Sequence, residues 1–151
     1  MKISDYLQKE CCIVDLNSTA KQEAIVEIIA QLSARGRVLD KERLIQDVLK
    51  REQLGTTGIG HKVAIPHAPS EGVEGFVIGF GRSTQGIDFN SIDGDKVNLI
   101  FLMGTNPKEL NLYLKLLAKL SKLLNEENFR RELTAAVTAD EVVDIFKRYE
   151  M

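Results

Sequence analysis

The chain contains two histidines, His61 and His67, within a short glycine-rich stretch. A neutral imidazole is a usable nucleophile at pH 7, because its ordinary pKa of about 6.5 leaves most molecules unprotonated. His67 follows Pro66, whose ring restricts the backbone, at the end of a short apolar segment where α/β proteins commonly place their sites. His67 is therefore a candidate nucleophile. The alternative is a histidine without chemistry, at the surface or at the edge of the core.

A metal site built on both histidines is a second interpretation of this stretch. In a fully extended segment, the side chains of His61 and His67 would point to the same face. The pattern lacks a clear third ligand, since Glu71 and Glu74 are candidates by proximity alone. We expect no metal and no other cofactor, and an exposed loop position for His61.

Arg51 and the glycines that follow it form a pattern suited to anions. An arginine guanidinium can clamp an anion, and backbone N–H groups exposed at Gly55, Gly58 and Gly60 can form an anion-binding nest. The alternative is a solvated arginine within a charged Lys-Arg-Glu string. The stretch lacks the Lys-Ser/Thr ending of a P-loop and the spacing of a dinucleotide-binding loop, so nucleotide binding is only weakly indicated.

Hydrophobic patterning predicts the elements that would position these residues. Short apolar segments predict strands at 11–16, 62–65, 76–80 and 97–103, with a further short one at 87–89. The segment 55–60 is predicted to be a loop. Apolar residues at helical spacing predict two helices after the first strand. Thr19 with Gln22 caps the first, Gly36 ends it, and Asp40 caps the second.

The last third of the chain is predicted to be helical. Pro107 suits the start of a helix. Its apolar stripe follows helical spacing through Leu110, Tyr113, Leu114, Leu117, Leu120 and Leu124. A shorter helix is predicted at 125–136, and a capping box of Thr138 and Glu141 begins the last one.

The order of these elements predicts an α/β fold, a three-layer sandwich in which a mixed β-sheet is flanked by helices on both faces. A chain of 151 residues is expected to form one domain, residues 1–151. Its net charge of −2 offers no basic excess for a nucleic-acid backbone. The adjacent Cys11 and Cys12 are expected to be reduced, apolar strand residues. Neither a signal peptide nor a membrane span is expected.

A longer motif in the same region resembles the fructose/mannitol type of enzyme IIA domain in the phosphotransferase system. The specific part of that motif is Gly58-Ile59-Gly60 followed by Ala64-Ile65-Pro66-His67. The segments 86–94 and 113–120 resemble the central part and the long helix of the same family. The resemblance covers nearly the whole chain. Without a fused transporter domain, the chain is most similar to the nitrogen-regulatory IIA branch.

The resemblance implies a role for each candidate. His67 would accept a phosphoryl group, through Nε2, from a phosphohistidine on an HPr-like carrier protein. Arg51 would neutralise phosphoryl charge, and Gly58 and Gly60 would shape the site. It implies a cytoplasmic phosphohistidine carrier that is regulatory or passes the group to a IIB domain, with no cofactor, no nucleic acid and no membrane insertion.

Two positions depart from the family pattern. Tyr113 stands where relatives commonly carry a second histidine, and its hydroxyl can donate a hydrogen bond but is never cationic. His61 stands where many relatives have a smaller polar residue and would support the phosphoryl site in place of the missing histidine. The departure at Tyr113 keeps an alternative open: an interaction module for regulatory partners such as kinases or transport proteins, with little or no phosphoryl turnover. A metal-dependent hydrolase using His61 and His67 is a third interpretation.

Overall fold

Six strands form one mixed sheet in a computed structural model that describes residues 1–151. The strands are β1 (Cys12–Ile13), β2 (Gly58–Gly60), β3 (Val63–Ala64), β4 (His67–Pro69), β5 (Phe76–Ile87) and β6 (Val97–Thr105). Their order is β1-β5-β6-β3-β2, and β4 also pairs with β6. Strands β1, β3 and β4 run parallel to their long neighbours, whereas β5 and β6 form an antiparallel pair.

Five α-helices cover the two faces of this sheet. They are α1 (Lys21–Ala34), α2 (Lys41–Leu54), α3 (Leu110–Leu124), α4 (Glu127–Ala135) and α5 (Ala139–Tyr149). Side chains alternate along β6: Phe101 and Met103 belong to the core shared with α3, α4 and α5. Ile100 and Leu102 belong to the core shared with α1 and α2. Helices therefore cover both faces of the sheet, which confirms the predicted three-layer sandwich. The nearly continuous apolar sequence of β6 is typical of a strand buried on both faces.

The predicted helix caps are partly confirmed. The Asp40 carboxylate accepts a hydrogen bond from the Arg43 N–H at 3.1 Å, and the Thr138 hydroxyl accepts one from the Glu141 N–H at 3.2 Å. Gly36 has φ of 71°, the left-handed conformation that ends a helix. The cap assigned to Thr19 is wrong, because α1 begins after Ala20 without a side-chain cap.

The strand predictions erred at the glycines. Gly58–Gly60, predicted to be a loop, is strand β2, and it pairs antiparallel with β3. His61 and Lys62 connect the two strands with φ of 57° and 65°. A two-residue hairpin turn with positive φ at both positions matches the twist of the strands it joins. Glycines alone therefore did not exclude a strand, because pairing with β3 supplies its hydrogen bonds.

The apolar stripe of α3 is also rotated relative to the prediction. Tyr113, Leu116 and Leu120 are buried against the sheet, whereas Leu110 and Leu114 are 43% and 59% exposed. The buried side of α3 therefore includes Leu116 and leaves two leucines of the predicted stripe at the surface. None of the helices has the length and apolar composition needed to cross a membrane.

Candidate functional site

His67 begins β4, and the backbone before it is held on both sides. The Ile65 N–H donates to the Thr57 carbonyl at 3.0 Å, and the Pro66 carbonyl accepts from the Met103 N–H at 3.0 Å. Val63 and Ile65 face the core shared with α3, α4 and α5. Alternation along an extended chain points His67 to that same face. The imidazole is half-buried at this end of the sheet.

One hydrogen bond fixes which nitrogen of His67 carries the proton. Nδ1 lies 2.6 Å from the Ile65 carbonyl oxygen. A carbonyl oxygen can only accept, so Nδ1 donates and the neutral ring has its lone pair on Nε2. The geometry therefore presents an unprotonated Nε2 at the site.

Burial keeps this imidazole neutral. Desolvation lowers the pKa of His67 below its ordinary value of 6.5, and the Arg51 charge lowers it further. The hydrogen bond to Ile65 and the Glu52 charge act in the opposite direction but do not cancel the effect of burial. The predominant form at pH 7 is the one that can attack an electrophile.

Arg51 lies in the last turn of α2, at the edge of the site. Its Nη1 donates to the Gly55 carbonyl at 3.0 Å, across the corner where α2 ends. Burial is the larger influence on the pKa of both His67 and Tyr113, and the Arg51 charge acts on each in the lowering direction. Arg51 therefore supplies the positive potential felt by both rings, as an anion site at this position requires.

Tyr113 faces His67 from α3. The two ring centroids are 5.8 Å apart, with an angle of 43° between the ring planes. Tyr113 is 5% exposed, and burial raises the pKa of its phenol to about 12. The hydroxyl therefore stays protonated at neutral pH and can donate a hydrogen bond, while carrying no charge.

The glycines of β2 allow close approach of another loop. A Cβ on Gly58 would lie 2.2 Å from the Ser91 Oγ, so only glycine fits there without displacing Ser91. Gly60 has φ of 95°, in the region that favours glycine. Gly58 pairs with Ala64, three residues before His67, whereas Gly60 lies farther along β2 beside the hairpin turn.

The structure does not bring His61 to His67. Val63, just after the turn, pairs with Leu99 of β6, whereas His67 pairs with Met103. At about 3.3 Å per residue, those four positions separate the two places by about 13 Å along the sheet, and His61 lies farther still. The structure therefore does not place His61, the expected support of the site, beside His67. A metal site spanning both histidines is likewise not formed, and no group of three or more His, Cys, Asp or Glu side chains could hold a metal ion.

His61 instead borders a separate cleft of about 620 Å³. Its walls also include Asp93, Arg130 and Glu127, so both signs of charge are present. The His61 backbone N–H donates to the Asp93 carboxylate at 3.3 Å. This cleft does not include His67, so the charged concavity beside the hairpin is separate from the candidate nucleophile.

The sequence reading missed Glu52. Its carboxylate is buried, forms an ion pair with the Lys21 Nζ at 2.9 Å, and accepts hydrogen bonds from the N–H and hydroxyl of Thr57. The signal was present: Leu44, Val48 and Glu52 are spaced by four residues and share the buried stripe of α2. A carboxylate on such a stripe requires partners, because unpaired charge is costly to bury.

The chain matches the family model described as phosphoenolpyruvate-dependent sugar phosphotransferase system, EIIA 2, over residues 5–149. It is 34% identical over 150 residues to the fructose-specific EIIABC component of Bacillus subtilis, covering 99% of this chain and 24% of that protein. It is 33% identical to a nitrogen regulatory protein of Bradyrhizobium diazoefficiens, covering 96% of this chain and 94% of that protein. The crystal structure of nitrogen regulatory protein IIA-Ntr from Neisseria meningitidis superposes with a TM-score of 0.88 at 28% identity, covering 95% of this chain and 98% of that one.

Proposed function

Because the chain belongs to the EIIA 2 family of the phosphoenolpyruvate-dependent sugar phosphotransferase system, we propose that it is a phosphohistidine carrier that is phosphorylated on His67. The observation that carries this proposal is the hydrogen bond from Nδ1 to the Ile65 carbonyl, which leaves the Nε2 lone pair free. Burial of the imidazole supports the same proposal, because burial lowers the pKa of His67 and favours the neutral ring. Residues 1–151 constitute a single EIIA domain in this proposal.

The reaction is a transfer between two imidazoles. The Nε2 lone pair forms a new N–P bond as the N–P bond of the donor phosphohistidine breaks, and the bonding electrons return to the donor ring. Nδ1 keeps its proton throughout and continues to donate to Ile65. The positive charge that the ring gains is balanced by the phosphoryl group and stabilised by that carbonyl.

Arg51 and Tyr113 are the groups proposed to stabilise the moving phosphoryl group. Such transfers depend on positioning and on charge complementary to the three equatorial oxygens. Arg51 supplies the cation, and the Tyr113 hydroxyl donates to a phosphoryl oxygen without adding charge. Gly58 belongs to the strand that supports the segment before His67.

The proposed donor is an HPr-like phosphocarrier protein charged from phosphoenolpyruvate. Since that donor system operates in the cytoplasm, we place this protein there. The group passes to a IIB domain, or it remains on His67 as a regulatory signal. The near-complete coverage of a nitrogen regulatory protein favours the regulatory role, whereas the match to one part of an EIIABC protein accords with delivery to IIB.

The test is phosphorylation by phosphoenolpyruvate, enzyme I and an HPr-like protein, followed by intact-mass measurement. We expect the wild type to gain one phosphoryl group, about 80 Da, in a linkage stable to alkali and lost in mild acid. His67→Gln should gain nothing, because glutamine has no nucleophilic nitrogen. His61→Asn is the matched control and should gain one group at a rate near that of the wild type. A mass increase in His67→Gln would reject the assignment.

Tyr113 favours a second candidate function, a regulatory interaction module with little phosphoryl turnover. A phenol gives less electrostatic stabilisation to a phosphoryl group than an imidazolium would. An intact wild type that is never phosphorylated would support this candidate. The variant Tyr113→His should then gain phosphorylation if the missing second histidine is the reason.

A further inference from the structure

Glu52 is a buried, charged residue with no part in the transfer described so far. It is 7% exposed, and three donors converge on its carboxylate. The Lys21 Nζ lies 2.9 Å away, the Thr57 N–H donates at 2.9 Å, and the Thr57 hydroxyl donates at 2.6 Å. Charge-assisted bonds of this kind hold their partners more firmly than neutral ones.

Hydrogen bonds joined by short backbone segments lead from this carboxylate to the imidazole. Thr57, which is itself 4% exposed, is held by Glu52 through its N–H and hydroxyl, and its carbonyl accepts from the Ile65 N–H at 3.0 Å. The Ile65 carbonyl then accepts from the His67 Nδ1 at 2.6 Å. The peptide group between Ala64 and Ile65, which directly precedes the Ile65 carbonyl, is therefore held from the Glu52 side through Thr57.

The backbone of Glu52 fixes Arg51 as well. Its carbonyl accepts from the Gly55 N–H at 3.2 Å, and the Gly55 carbonyl accepts from the Arg51 Nη1 at 3.0 Å. The same corner of the chain, from residue 51 to residue 57, thus holds both the proposed cation and the support of the proposed nucleophile.

We propose that Glu52 is a positioning residue that keeps the proton of the His67 imidazole on Nδ1 and its lone pair on Nε2. This proposal rests on the proposed phosphoryl transfer to His67. It acts through Thr57 and Ile65 and does not touch the phosphoryl group. Lys21 pairs with Glu52 and lies 5.4 Å from the centroid of the Phe89 ring. This pairing lets a carboxylate anchor the site without leaving an unpaired negative charge beside the incoming phosphoryl group.

The experiment compares Glu52→Gln with Glu27→Gln. The Glu27 carboxylate, in the middle of α1, also accepts from two backbone N–H groups and one hydroxyl, those of Asn17 and Ser18 just before that helix. Both variants are made with His61→Asn, which leaves His67 as the single histidine in the spectrum. The measurements are the ¹⁵N shifts of the two ring nitrogens at pH 8, which report the tautomer, the rate of phosphorylation, and thermal unfolding.

We expect Glu52→Gln to show a mixture of tautomers and to be phosphorylated at least about 10-fold more slowly, as expected for losing a charge-assisted hydrogen bond. Glu27→Gln should keep the Nδ1–H tautomer and the wild-type rate. Thr57→Val, which removes only the hydroxyl, should shift the tautomer in the same direction and by less. It serves as the test if Glu52→Gln does not fold.

A pure Nδ1–H tautomer in Glu52→Gln and in Thr57→Val would overturn the proposal, whatever the rates. Equal tautomer mixing in Glu27→Gln would overturn it too, because general loosening of the fold would then be the cause. A wild type that accepts no phosphoryl group would contradict the proposed function instead. The tautomer comparison would still decide the role of Glu52 in that case.

Discussion

At the scale of single residues, the protonation of His67 should set the pH dependence of the proposed transfer. Burial holds the pKa of this imidazole below 6.5. The neutral form therefore predominates at pH 7 to 8 and is depleted as the pH falls through the lowered pKa. We expect the phosphorylation rate, measured at limiting concentrations of this protein, to be nearly flat between about pH 7 and pH 8 and to fall to half of that plateau only below pH 6.5. An acid limb centred above pH 7 would contradict this environment for His67.

The same lowered pKa links His67 to stability. Below pH 6.5 the unfolded chain binds a proton at this position more readily than the folded chain does, so the free energy of unfolding decreases as the solution is acidified. The stabilisation is fully present above pH 6.5 and is lost as the pH falls through the lower pKa of the folded state. We expect His67→Gln to lose less stability than the wild type between pH 7 and pH 5 in urea titrations.

Substituting Arg51 distinguishes a role of this residue in the proposed transfer from a role in the stability of the fold. An arginine that is not fully buried contributes at most about 1 kcal/mol to stability. Lost charge stabilisation in a transfer site typically costs about 10²-fold or more in rate. Arg51→Ala should therefore slow phosphorylation by about 10²-fold while its urea midpoint changes little. Arg43→Ala, on the same helix and paired with Asp47, is the control and should keep the wild-type rate. Unchanged kinetics in Arg51→Ala would remove Arg51 from the site.

The residues of the site could be read from the sequence only in part. Arg51, His67 and Tyr113 were identified by type and motif, and the structure brings them together, although their chemical roles stay predictions. The sequence groups His61 with these residues because it is near His67 along the chain. In the structure, the hairpin turn and the register along β6 separate His61 from His67. The sequence does not single out Glu52, because a residue within a run of charged residues is expected to be exposed. The buried stripe of α2 shows that Glu52 points inward.

At the scale of elements, β2 carries a close contact that the sequence did not reveal. A Cβ added to Gly58 would lie 2.2 Å from the Ser91 Oγ and 3.0 Å from its Cβ. Gly58→Ala should destabilise the protein by about 1–3 kcal/mol, the usual cost of overpacking. Gly55→Ala is the control, because nothing lies within 4 Å of its added Cβ, and it should cost less. Chemical denaturation measures both, and recovery of stability on adding Ser91→Gly to Gly58→Ala would identify the contact.

The sequence predicted well those elements that depend on neighbouring residues in the chain or on burial of both faces of a strand. The continuous apolar run of β6 and the Asp40 cap are examples. Strand β2 depends on pairing with β3, a contact that patterning within 58–60 cannot show. The rotation of α3 depends on which neighbours cover it. Leu114 is as apolar as Leu116, yet the former is exposed and the latter is buried.

At the scale of the whole molecule, the proposed site lies where apolar surface is left uncovered. Leu110 and Leu114, on either side of Tyr113 in α3, are exposed, and Leu54, three residues after Arg51, is 83% exposed. Exposed apolar side chains beside a proposed transfer site suit the docking of a protein partner, and we propose that the donor docks there. A carrier must release its partners quickly, so the interface should be small, below about 1,200 Å². We therefore expect no stable complex with the HPr-like donor in gel filtration.

The docking surface is tested by Leu114→Ser. Because Leu114 is 59% exposed in the free protein, folding gains little from its side chain, and the variant should unfold near the wild-type temperature. If a partner covers it, losing a buried leucine costs about 1.5–3 kcal/mol of binding, roughly a 10- to 100-fold higher KM for the phosphorylated donor. The rate at saturating donor should stay close to that of the wild type, since Leu114 is not proposed to touch the phosphoryl group.

Val137→Ser is the matched control for this test. Val137 is 73% exposed and lies between α4 and α5. The Arg82 guanidinium donates to the carbonyls of Leu133 and Thr134, so the end of α4, which precedes Val137, lies beside Arg82. Arg82 in turn pairs with Leu99 on β6. His67 pairs four residues farther along β6, at Met103. Val137→Ser should leave KM unchanged. Equal KM values for both variants and the wild type would show that the donor docks elsewhere. A lowered rate at saturating donor in Leu114→Ser would instead assign Leu114 to the orientation of Tyr113.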